Sequence, residues 1–87
     1  MEKIRSPHFS FWLCAIKRKH KFQWKKMAVY MSVSSQCIDS YACGRAHPQI
    51  MKFYSLCEYI ANYTKQPINN ILISGMAAIK KDKNERL

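Results

Sequence analysis

Four cysteines and three histidines are the residues whose types first suggest chemistry. The cysteines stand at 14, 37, 43 and 57 and the histidines at 8, 20 and 47. A zinc knuckle needs paired ligands two to four residues apart. No cysteine pair has that spacing, and Cys37, Cys43 and His47 form only a loose group. The histidines show no mutual spacing for metal binding or catalysis. The expectation is therefore free thiols in a reducing cytoplasm, with no metal and no cofactor. Cys37 and Cys57 fall within apolar patterns and should behave as small hydrophobes. Enzymatic acid–base work is not expected either, because the acids are few and scattered, without a paired-carboxylate arrangement.

The second kind of chemistry is electrostatic. The chain of 87 residues carries 15 Lys+Arg against 5 Asp+Glu, a formal net charge of +10. Between Lys3 and Cys57 the sole acid is Asp39. The same stretch holds Lys3, Arg5, Lys17, Arg18, Lys19, Lys21, Lys25, Lys26, Arg45 and Lys52. Ordinary surfaces mix both signs, whereas a one-sided field attracts polyanions, most commonly nucleic acid.

The elements that must position these groups read as helices. Only two glycines and three prolines occur, and no Asn-Gly or Asp-Gly hairpin signal is present. Phe9, Trp12, Leu13 and Ile16 fall at i, i+3, i+4, i+7 and define one face of a first helix. That helix fades into the basic run Lys17 to Lys21, and Phe22 plugs the core from the connection. A second helix spans about Trp24 to Tyr30, with Met27, Ala28 and Met31 on its apolar side. Ser34 is placed to cap a third helix over about Ser35 to Ala42, with Ile38 and Tyr41 inward and Gly44 as a left-handed stop.

Pro48 suits the first position of a fourth and longest helix ending near Thr64. Its stripe is Ile50, Phe53, Cys57, Ile60 and Ala61, with Leu56 beside it. Trp12, Phe53 and Tyr54 are assigned to the core. Pro67 opens a shorter fifth helix with Ile68, Ile71 and Leu72 inward. After Gly75 the charge density predicts a frayed basic tail. The expected architecture is an all-α, compact five-helix bundle. A domain of residues 1–74 is followed by a basic segment 75–87 that is disordered or part of a dimer contact. No apolar run approaches the ~20 residues of a membrane span. Phe9 to Ile16 followed by a basic run is the wrong order for a secretion signal. A cytoplasmic location is expected.

The stretch Met27 to Pro48 carries the most specific pattern. A helix-turn-helix needs a small residue in its first helix, an apolar plug in the turn and an apolar anchor in its second helix. Ala28, Val33 and Ile38 supply these. The register Met27-Ala28, Ser32-Val33-Ser34, Ile38, Tyr41, Gly44 and Pro48 resembles the helix-turn-helix of the lambda-repressor-like, Cro/CI-type (XRE) family, without a gap. The resemblance covers roughly residues 9 to 73. Ser32 replaces the family's usual turn glycine, so a positive φ there would carry strain. Trp24 replaces a glutamine that commonly touches phosphate, and Ala42 replaces a frequent glutamate.

The resemblance implies a sequence-specific double-stranded DNA-binding transcriptional regulator, Cro-like or a minimal phage-type repressor. It would act as a homodimer on a palindromic operator with half-sites one helical turn, ~34 Å, apart. The implied base-reading positions are Ser35, Gln36, Asp39 and Ser40. The Gln36 amide matches the N6/N7 edge of adenine. Asp39 either accepts from a cytosine amino group or fixes neighbouring side chains. Trp24, Lys25, Lys26, Ser34, Arg45 and His47 are the implied phosphate contacts. Leu72, Ile73, Met76 and Ile79 exceed what a small core needs and are candidates for the dimer surface. No small-molecule ligand is expected. The competing expectation is an antitoxin-type interaction module of the same fold, which binds a toxin as well as its own operator.

Overall fold

The computed structural model describes residues 7–85. Lys3 and Arg5, counted in the basic field, and residues 86–87 of the expected tail lie outside them. Five helices follow in order: α1 (Pro7–His20), α2 (Trp24–Met31), α3 (Ser35–Cys43), α4 (Ile50–Thr64) and α5 (Ile68–Glu85). The architecture is an all-α five-helix bundle, with a radius of gyration of 12.1 Å. That matches the ~12 Å expected of one globular domain of this length.

The core follows the apolar stripes. Phe9 and Leu13 of α1, Phe22 of the connection and Met27, Ala28 and Met31 of α2 are buried. They pack with Ile38 and Tyr41 of α3, with Phe53, Leu56, Cys57, Ile60 and Ala61 of α4, and with Ile71 of α5. Complete burial of one large apolar side chain stabilises by about 1.5–3 kcal/mol. Phe9, Trp12 and Phe53 form a ring cluster with centroids 5.5 to 6.4 Å apart. Phe22 anchors a second cluster, edge-on to Trp24, Tyr59 and Tyr63.

The helix ends are set by backbone geometry. Ser34 caps α3, its hydroxyl accepting from the Cys37 N–H at 3.2 Å. Gly44 closes α3 at φ 80°. Ser32 closes α2 at φ 57° and ψ 43°, a left-handed conformation without glycine's freedom. At both ends the closing N–H groups make the paired bonds of a Schellman cap: Ser32 to Val29 and Val33 to Ala28, then Gly44 to Tyr41 and Arg45 to Ser40.

Three features depart from the sequence reading. First, Pro48 is not at the first helical position. It lies buried ahead of the N-cap Gln49, and α4 begins at Ile50. Second, Ile50 and Tyr54 are exposed, at 76% and 48%. Their stripe has the right phase, but a groove rather than a packed neighbour lies over it at this end of α4.

Third, α5 is not short. It runs through residues 75–85, where a frayed tail is expected from the sequence. Gly75 is no helix stop. It sits in mid-helix where a Cβ would stand 2.7 Å from the Phe53 ring and 2.9 Å from Trp12. Asp82, among the lysines, is 2% exposed and caps α1: its carboxylate accepts from the His8 N–H at 2.8 Å and the Phe9 N–H at 3.0 Å. Trp12 adds a tie, donating its indole N–H to Ser74 Oγ at 2.7 Å. The segment from Gly75 to Asp82 is thus integral to the packing of α1.

Candidate nucleic-acid interface

The candidate site is the outer side of α2, the turn and α3. Val33 is half-buried against the core, so the turn is pinned from within. Ile38 and Tyr41 hold α3 inward. Burial and the Cys37 thiol push the Tyr41 phenol up to about 12. The opposite side of α3 then faces solvent. Ser35, Gln36 and Asp39 are exposed on it.

Ser40 behaves differently. It is half-buried and its hydroxyl donates to the Gln36 carbonyl at 3.1 Å, back onto its own helix. Asp39 lies 3.6 Å from the Arg45 guanidinium, a solvent-exposed ion pair of small energetic weight. Of the two roles open to Asp39, this contact matches the fixing of a neighbouring side chain. The Ser34 hydroxyl accepts from Cys37, an arrangement that leaves its hydrogen as a donor.

The expected phosphate contacts separate into groups. Lys25 and Lys26 are exposed in the first turn of α2. Two cations at a helix N-terminus oppose the macrodipole, and an anion bound there would relieve that cost. Trp24 is half-buried, packed edge-on against Phe22 with the Lys17 ammonium 5.5 Å from its ring centroid. Its indole serves the packing of the α1–α2 connection. His47 is half-buried and lines the groove between α4 and α5, with Phe53 and Met76.

Several residues that sequence reasoning did not single out hold this unit in place. Lys52 of α4 donates to the Met31 carbonyl at 2.9 Å and so completes the C-terminal end of α2. The Tyr30 hydroxyl donates to Glu58 of α4 at 2.5 Å. That carboxylate raises the Tyr30 pKa, first through the hydrogen bond and then through burial. On the other side, the Ser10 hydroxyl and the Cys14 thiol of α1 both donate to the Ala42 carbonyl, at 2.5 and 3.5 Å. Each contact joins residues at least 21 positions apart, so no local pattern announces it. Asp39 pairs with Arg45, Glu58 accepts from Tyr30 and Asp82 caps α1, and the positive balance comes from 15 Lys+Arg against 5 Asp+Glu.

No family model, curated protein or solved structure matches the chain. The four cysteines are free thiols, and Cys57 is buried with its pKa pushed up to about 12 by desolvation. Among the described residues, no group of three His, Cys, Asp or Glu is arranged to hold a metal ion. No helix of the described residues is long and apolar enough to cross a membrane.

Proposed function

We propose that this chain is a sequence-specific double-stranded DNA-binding regulator in which α3 enters the major groove. The observation that carries the reading is the exposure of Ser35, Gln36 and Asp39 on one side of a short helix whose other side is anchored by Ile38 and Tyr41. A polar, projecting helix face is what the major groove accepts. Lys25 and Lys26, exposed in the first turn of α2, carry positive charge suited to phosphate. Gln36 is the principal base reader, its amide donating to and accepting from one adenine edge. Ser35 contributes an adaptable hydroxyl. Ser40 plays a lesser part than the sequence pattern implies, because its hydroxyl is turned to the helix backbone.

The resemblance of Met27 to Pro48 to the lambda-repressor-like helix-turn-helix supports the same reading. So does the net charge of +10. Selection of duplexes from a random pool at near-physiological salt tests it. Enrichment of one defined sequence is the expected result. Salt-sensitive binding with no enriched sequence would leave only the phosphate term and overturn the reading.

A second reading, a DNA-binding module that also holds a protein partner, is favoured by one observation. Ile50, Met51, Ile73 and Met76 are 55 to 78% exposed, an apolar surface that the bundle itself does not cover. Co-purification of a protein whose binding to the chain is abolished by changes at these residues would support it.

A further inference from the structure

Between the N-terminal end of α4 and the stretch of α5 from Leu72 to Lys83 lies a groove of about 520 Å³. Phe53, Leu72 and Ile79 line it, and Ile50, Tyr54 and Met76 border it. Ile50 and Met76 are 76% and 55% exposed, so large apolar side chains stand unsatisfied at the groove. Lys80 and Lys83 also line it. Asp82, which lies between these lysines in sequence, is turned inward to cap α1 and does not offset them at the surface.

We propose that this groove docks an acidic amphipathic helix of a partner protein. The apolar face of such a helix would fill the groove over Phe53, Leu72 and Ile79. Its carboxylates would meet Lys80 and Lys83. This is the helix-in-groove mode of recognition, in which residues at i, i+3, i+4 and i+7 act as anchors. Charge complementarity selects the occupant. A second copy of this chain would bring a net charge of +10 against another +10 and set both lysine pairs at one interface. Asp39 already pairs with Arg45, and Glu58 accepts from the Tyr30 hydroxyl. The inference deepens the partner-binding reading and does not depend on DNA recognition by α3, so duplex selection and partner docking fail separately.

The test is selection of a displayed library of helical peptides, with apolar stripe and net charge both varied, against the full chain. The expected winners carry apolar residues at three- and four-residue spacing and a net negative charge. The winning peptide should shift the methyl resonances of Ile50, Met76 and Ile79. Lys80→Glu combined with Lys83→Glu should weaken it by about tenfold or more, with the helical circular dichroism unchanged. Met76→Glu, at an exposed position, provides a second variant with the same expected loss. Enrichment of neutral or basic peptides, no enrichment, or methyl shifts elsewhere would overturn the proposal. Self-association that Met76→Glu abolishes would overturn it in favour of a second copy.

Discussion

Asp82 caps the first helix through Phe9: a carboxylate near one end of the chain accepts a buried backbone N–H near the other, at 3.0 Å. The second carboxylate oxygen takes the His8 N–H at 2.8 Å. Hydrogen bonds to a charged group are worth more than neutral ones, and unmet buried amides are costly. Asp82→Ala should lower unfolding stability by about 1–3 kcal/mol, read as a reduced urea midpoint. Asp82→Asn, which keeps an acceptor, should lose less. An unchanged midpoint for Asp82→Ala would mean that the residues after Gly75 do not support α1.

Gly75 is a second place where α5 depends on close approach. Alanine would favour the helix by about 1 kcal/mol on propensity alone. A Cβ there would stand 2.7 Å from the Phe53 ring. Overpacking of this kind costs about 1–3 kcal/mol. Gly75→Ala should therefore destabilise the fold in thermal melts despite the gain in propensity, and a raised melting temperature would contradict the packing described.

Ser32 offers the opposite case. Its φ of 57° places an L-residue where glycine is at ease, and its side chain is exposed. Ser32→Gly should stabilise the chain by up to about 1 kcal/mol, part of the gain being offset by a more flexible unfolded chain. Equilibrium denaturation reads the change. A clear loss of stability would show that the serine side chain does more than close α2.

Alkaline pH should weaken the fold. Burial pushes the Cys57 thiol from 9.0 up to about 12, and burial together with Cys37 pushes the Tyr41 phenol from 10.0 up to about 12. Both folded values lie above the unfolded ones. Above pH ~9 the unfolded chain releases protons that the folded chain retains, so stability falls with pH. The contribution is complete below pH ~9 and is lost as pH rises toward ~12. Denaturation midpoints measured from pH 8 to 11 check this, and Cys57→Ala should flatten the slope whatever its cost at neutral pH. A slope unchanged by that variant would contradict the assignment to Cys57.

What the sequence discloses is what acts locally. Ser34 as a cap, Gly44 as a left-handed stop and Ile38 with Tyr41 as inward anchors are each set by neighbours within a few residues, and the structure has them in those roles. The positive φ that the missing turn glycine raises as a question at Ser32 is present. The extent of α5 is hidden because its inward line is Ile71, Gly75, Ile79 and Asp82. One of these has no side chain and another is charged, so hydrophobic periodicity does not register them. The exposure of Ile50 is hidden for a different reason. Periodicity gives the phase of a stripe and says nothing about where the covering layer ends. On the candidate interface, sequence separates the outward Ser35, Gln36 and Asp39 from the inward residues. It does not reveal that the Ser40 hydroxyl turns back, that Trp24 packs on Phe22, or that Lys52 and Glu58 reach across from α4.

Base reading by α3 is tested most sharply at Gln36, because that side chain is exposed and has no part in the core. The measurement is affinity of the wild-type chain and of Gln36→Ala for the selected duplex and for its three single-base-pair variants at each position. The prediction is that Gln36→Ala loses about 1–3 kcal/mol on the selected duplex and loses discrimination at one position only, with an unchanged salt dependence. Equal affinities of wild type and Gln36→Ala across all the duplexes would contradict it and remove α3 from the groove.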